Sequence, residues 1–102
     1  MSLFIYILYS ESKDRFYIGQ SEDPFRRLTD HNSGKSNRYT FSGRPWLLKA
    51  NFLVRGNRGT ALKLEAFIKK QKSRNLIEKL VDPDFTPTDA LAQLVRVPHV
   101  RD

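Results

Sequence analysis

Leu3 to Tyr9 is apolar or aromatic throughout, the pattern of a strand covered on both faces. A polar turn over Ser10 to Arg15 follows. Phe16-Tyr17-Ile18 then reads as a second strand by its aromatic and β-branched content, and Gly19 permits a turn or a close approach that a Cβ would block. So short a connection makes the two runs an antiparallel hairpin, which lets Tyr6 and Tyr17 project into one patch. A third strand is predicted over Pro45 to Val54, with Pro45 tolerated at its first position. Lys49 and Asn51 interrupt that run, so one of its faces is expected to be partly open.

Between these runs the period changes from two to three and four. Asp23-Pro24 predicts a helix start, with Asp23 as N-cap and Pro24 where a missing N–H costs nothing; the helix runs to about Asn32, and Gly34 stops it. Phe25 and Leu28 then face a core, while Arg27 and His31, four apart, share another face. Lys35 to Gly43 fits neither period and reads as a loop or a broken helical turn. Asn57 to Thr60 carries capping chemistry for a helix over about Arg58 to Lys72, with Ala61, Leu64, Phe67, Ile68 and Gln71 as its buried stripe. Glu65 sits at the edge of that stripe, set to pair with Lys69 one turn on. Leu76, Ile77 and Leu80 suggest another short helix. Thr86 to Asp89 resembles a capping box, predicting a last helix with Leu91, Leu94 and Val95 before a frayed tail from Pro98 to Asp102. Residues 1–80 form the main unit, and 81–102 a helix and tail packed on it or extending from it.

The chain has 102 residues, enough for one modest core. It has no cysteine, which excludes disulfides and thiolate metal sites and suits a reducing cytoplasm. The opening apolar run is too short to span a membrane and lacks the positive flank of a signal peptide, so no membrane partner is expected. A formal net charge of +7 favours polyanionic partners, with the reaction left open. Lys35, Arg38, Tyr39 and Arg44 mix cations with an aromatic ring in one loop, suited to phosphates and bases. The densest positive run, Lys69, Lys70, Lys72 and Arg74, is either a solvated face or a phosphate rail.

No nucleophile elbow and no glycine-rich phosphate loop occurs, and two histidines do not make a histidine-rich zinc site. Two tyrosines, Arg27, His31 and Glu65 on successive elements remain, a set that suits phosphodiester hydrolysis. Arg27 can stabilise charge that builds on an attacked phosphate, and Glu65 alone can anchor Mg²⁺, which keeps most of its waters. A tyrosine hydroxyl can orient or deprotonate the attacking water, with His31 relaying a proton. The bland alternatives are a solvated surface arginine, a helix-end histidine favoured by the macrodipole and an ordinary helix ion pair.

Phe4-Ile5-Tyr6, Tyr17-Ile18-Gly19, Arg27 and His31 in FRRLTDHNSG, and Glu65 in ALKLEAFIKK occur in an order and spacing that resembles the GIY-YIG endonuclease domain. The likeness covers about residues 3–80 and is greatest to small stand-alone bacterial members. SGRPW and ALKLE are also similar to the nuclease subunit of the eukaryotic structure-specific endonuclease. The resemblance implies an α/β fold of the α+β type: a three-stranded antiparallel sheet flanked by helices, here with an extra C-terminal helix. It further implies Mg²⁺- or Mn²⁺-dependent hydrolysis of DNA, with Tyr6 and Tyr17 lining the site, Arg27 on the scissile phosphate, His31 assisting and Glu65 holding the metal. DNA that is branched, nicked or single-stranded is the expected substrate, in repair or recombination, with a protein partner supplying specificity. Phe4 departs from the family glycine, and residues 1–102 are expected to hold no separate recognition domain. A non-catalytic nucleic-acid-binding module is the alternative, and an adaptor working through the C-terminal segment a third.

Overall fold

The uninterrupted apolar run becomes a strand with a partner on each side. In the computed structural model, which describes residues 2–35 and 38–98, β1 (Phe4–Ser10) is flanked by β2 (Arg15–Ser21) and β3 (Trp46–Val54). All pairings are antiparallel: Tyr6 faces Gly19 on β2 and Asn51 on β3, and the β1–β3 register shifts between Ile7 and Leu8. Phe4, which stands where the resembled family would have glycine, occupies a regular ladder position opposite Ser21 and Leu53.

The first helix, α1 (Pro24–Ser33), begins and ends where its punctuation predicts. The Asp23 side chain accepts from the Arg26 N–H at 3.1 Å, and Gly34 closes the helix at φ 81°, a left-handed conformation that favours glycine. A single helical turn, α2 (Arg38–Phe41), lies in the segment expected to be a loop or a broken helical turn. The side chains of Arg38 and Tyr39 lie outside the described residues, as do residues 99–102 of the expected tail. The third helix, α3 (Arg58–Gln71), is capped by the Asn57 side chain on the Thr60 N–H at 3.0 Å, and α4 (Arg74–Val81) by Ser73.

The sheet has four strands where three were expected, in the order β2-β1-β3-β4, and the predicted last helix does not form. A 3-10 turn over Asp89–Leu91 leads into β4 (Leu94–Val97), which pairs with the outer edge of β3 from Val54↔Leu94 to Asn51↔Val97. Leu91, Leu94 and Val95 mimic a helical period. Without β4, however, that edge of β3 would carry unpaired backbone N–H and C=O groups, and the Leu-Val-Arg-Val run suits a pleated edge better than a helix. Leu91 and Leu94 join the main core, so this segment packs against the rest of the chain.

The two sheet faces are covered by different helices. Ile5, Ile7, Ile18, Ala50 and Phe52 pack against Ala61, Leu64 and Ile68 of α3 and Ile77 and Leu80 of α4. On the other face Tyr6, Leu8, Trp46 and Leu48 pack with Phe25 and Leu28 of α1. The α3 stripe is narrower than predicted: Phe67 is 38% exposed, and exposed Gln71 donates to the Phe67 carbonyl rather than entering the core.

Candidate active site

Four polar residues are buried in this molecule, Ser10, His31, Thr40 and Asn51, among those described. Strand alternation puts Ser10 and Asn51 on the α1 face, beside Tyr6, Leu8 and Trp46. His31 comes from α1 and Thr40 from α2, and both reach the same layer.

Tyr6 is the post on which the site is built. Its ring crosses Gly19, where an added Cβ would lie 2.5 Å from the Tyr6 Oη, so this position requires the absence of a side chain. The hydroxyl lies 3.2 Å from His31 Nε2, and the opposite ring nitrogen, Nδ1, lies 3.0 Å from Thr40 Oγ1. Arg27, one turn before His31, also bonds the Tyr6 hydroxyl, and a guanidinium can only donate. Buried Tyr6 must still place its own proton. The direction that satisfies every atom has Tyr6 donating to His31 Nε2 and His31 Nδ1–H donating to Thr40.

Electrostatics agree with this assignment. Burial, and then repulsion from Arg27, push the His31 pKa below its ordinary value, only partly offset by Asp30, so the imidazole is neutral near pH 7. Burial raises the Tyr6 hydroxyl; the Arg27 bond opposes the shift, and Tyr17 and Glu65 add to it. Burial pulls Arg27 down, but its bond to Tyr6 and the charge of Asp30 outweigh that and leave it raised. Arg27 Nη1 also meets Asp30 Oδ2 at 3.3 Å.

Above this buried layer lies an accessible one. Arg27 keeps 35% of its side chain exposed and borders a polar groove of about 390 Å³ shared with Ser21, Glu22, Asp23, Arg26, Asp30 and Arg58. Tyr17 is half-buried, with its ring centroid 6.5 Å from Tyr6 and 4.8 Å edge-on from His31. Glu65 arrives from α3, around the β2 edge of the sheet, close enough to act on the Tyr6 hydroxyl. Its Oε2 is 2.8 Å from Lys69 Nζ, the predicted pair, and that ammonium stands 5.9 Å over the Tyr17 ring.

The five residues expected to form the site are thus brought to one edge, but in two depths. Tyr6 and His31 are sealed, with His31 bonded to the Tyr6 hydroxyl and to Thr40, whereas Tyr17, Arg27 and Glu65 meet solvent. The predicted nucleic-acid contacts are scattered by comparison. Lys35, Lys70 and Lys72 are exposed, Arg44 stacks on Phe41 at 3.9 Å, and Arg74 bonds Asp14 of the β1–β2 turn at 2.7 Å. Thr40, Asn32 and the supporting role of Trp46 escaped the sequence reading. The Asn32 side chain clamps the Trp46 backbone through both its atoms, and the Trp46 indole donates to the Thr40 carbonyl at 2.7 Å, fixing α2 against α1. Only FRRLTDHN followed by the PW pair, fourteen residues on, hinted at that clamp.

For a divalent metal the relevant donor is Glu65. Its side chain is 20% exposed and already holds a cation in the form of Lys69, so the residues fit a hard ion bound through one carboxylate, waters and substrate oxygens.

Residues 2–78 match the GIY-YIG catalytic domain. A UPF0213 protein of Aeromonas salmonicida is 45% identical over 69 residues, which are 67% of this chain and 49% of that protein. A UPF0213 protein of Aeromonas hydrophila is 37% identical over 81 residues, 79% of this chain and 58% of that protein. The chain therefore spans about half the length of the curated relatives it matches. The solution structure of a UPF0213 protein from Bacillus halodurans superposes with a TM-score of 0.49 at 31% identity, covering 85% of this chain and 89% of that one.

Proposed function

Because the chain belongs to the GIY-YIG catalytic-domain family, we propose that it is a divalent-metal-dependent endonuclease that hydrolyses phosphodiester bonds in DNA. The family is of nuclease type, acts on nucleic acid and generally uses divalent metals. The reading for this chain is supported by one observation above all: Arg27, held by Tyr6 and Asp30, shares an accessible edge with Tyr17 and Glu65. A substrate selected by its structure, in repair or recombination, extends that proposal, with DNA that is branched, nicked or single-stranded as the preferred class.

Attack of water on the phosphorus places added negative charge on the non-bridging oxygens, and a guanidinium already fixed by two partners stabilises it without reorganising. Tyr17 is the accessible tyrosine, so its hydroxyl orients the attacking water by a hydrogen bond. Tyr6, buried and with its pKa raised, keeps its proton near pH 7 and serves as the brace of Arg27. His31 takes the Tyr6 proton in a hydrogen bond and keeps the hydroxyl oxygen aimed at Arg27. Bound at Glu65, Mg²⁺ or Mn²⁺ would supply Lewis-acid stabilisation of the developing charge.

Labelled flaps, junctions, single strands and duplexes, with and without divalent metal, test this. Wild-type protein should cut at least one structure, and Arg27→Ala and Glu65→Gln should each lose about a hundredfold or more while keeping the wild-type melting transition. Undiminished cutting by either variant refutes the assignment. Salt-sensitive binding with no product under any metal gives the scaffold a non-catalytic binding role instead.

A further inference from the structure

Glu65 is not a waiting carboxylate, because its own helix supplies it with a cation. Lys69 Nζ lies 2.8 Å from Glu65 Oε2, half of the Lys69 side chain is exposed, and the ammonium also stands over the Tyr17 ring at 5.9 Å. These are the two groups that the proposed hydrolysis needs for metal and for water. We propose that Lys69 is a resident counter-ion that competes with the divalent metal for Glu65 and must leave that carboxylate before the metal binds. The inference rests on the reading of Glu65 as the metal anchor.

The physical case is one of exchange between two cations at one site. Lys69, half exposed and four residues after Glu65 on one helix, is held by an i,i+4 pair worth only tenths of a kcal/mol on exposed helix faces, so a dication can displace it. The lysine still costs the metal affinity, both through the pair that must break and through repulsion between its charge and the ion. Its flexible stem lets the displaced ammonium swing toward solvent, where a substrate phosphate is its natural partner. Metal and DNA then assist one another, since each draws Lys69 away from Glu65 or profits from its release.

The neighbouring lysines supply the contrast. Lys70 is exposed on the same turn but is rotated by about a hundred degrees around the helix, so it carries the same charge without facing Glu65. A general electrostatic effect would treat the two alike, and a local one would not.

Mn²⁺ titration followed by electron paramagnetic resonance, on the full chain without DNA, reads this independently of cleavage. Lys69→Met should tighten Mn²⁺ about three- to tenfold, Lys70→Met should stay within about twofold of wild type, and Lys69→Arg, which rebuilds the pair, should bind as wild type does. Met keeps helix propensity and stem length, so folding is undisturbed. Unchanged or weaker affinity in Lys69→Met, or equal tightening in Lys69→Met and Lys70→Met, overturns the proposal. Glu65→Gln should abolish the signal; wild-type Mn²⁺ binding in that variant would refute the anchor itself, and with it the competition.

Discussion

The two faces of one sheet are built by different rules. On the face under α3 and α4 the fully buried residues among those described are apolar, from Ile5 and Phe52 to Ile68 and Leu80. On the face under α1 every second position is a compromise: Tyr6, Ser10 and Asn51 share the layer with Leu8 and Trp46, and His31 and Thr40 are lowered onto it from the helices. Burying apolar area stabilises without regard to direction, at about 25 cal/mol per Å². Burying hydroxyls and an imidazole gains little net free energy and is costly if any partner is lost, but it fixes directions. The first face therefore keeps the molecule folded, and the second aims Arg27. The proposed site sits at the β2 edge, where Glu65 and Lys69 of the apolar side come round to the polar side.

The largest effect that tests this division is on the apolar face. Phe52 is fully buried, and Phe52→Ala should lower stability by about 3–5 kcal/mol in urea unfolding. In a domain with about 5–15 kcal/mol in hand, the folded fraction should still cut DNA at a rate close to wild type. A loss below about 2 kcal/mol, or a specific collapse of cutting in the folded fraction, would erase the distinction between the faces.

Gly19→Ala should reverse the balance. The new Cβ would lie 2.5 Å from Tyr6 Oη and 2.6 Å from Cζ, so the ring must move, taking the Arg27 and His31 bonds with it. Overpacking of this kind costs about 1–3 kcal/mol, less than the Phe52 truncation. Cutting should nevertheless fall by more than about tenfold, because a small misplacement of a charge-stabilising group is amplified in rate. Wild-type cutting in Gly19→Ala would show that Tyr6 does not brace the arginine.

The same contrast explains what could be read from the sequence. The apolar runs and the punctuation of α1 were legible, because Asp23, Pro24 and Gly34 act locally and their chemistry leaves few alternatives. So was the Glu65–Lys69 pair, which is fixed by helix geometry alone. The fourth strand was not, since Leu91, Leu94 and Val95 satisfy a helical spacing and only the open edge of β3 decides between helix and strand. Thr40 was not either: its role depends on a four-residue helix and on a clamp between Asn32 and Trp46, neither of which leaves a periodic trace. Spacing put Arg27 and His31 on one helical face, but it could not show that one would be exposed and the other sealed.

The smallest effect is one of pH, and it belongs to the polar face alone. His31 has its pKa lowered in the folded protein by burial and by Arg27, from an ordinary value of 6.5. Between 6.5 and the depressed folded value, the unfolded chain binds a proton at this residue and the folded one does not, so stability rises with pH there. The contribution is complete above 6.5 and is lost as the pH falls from 6.5 through the folded value. One proton gives a slope of at most about 1.4 kcal/mol per pH unit. Urea midpoints measured from about pH 7.5 down to pH 5, above the range where carboxylates dominate, should show that slope in wild type. His31→Gln should be less stable at pH 7.5 yet lack the slope, whereas Ile7→Val, on the apolar face, should be shifted equally at every pH. Were the slope to survive in His31→Gln, the imidazole would not be the neutral, buried link that holds Tyr6 to Thr40, and the polar face would lose the feature that separates it from the other.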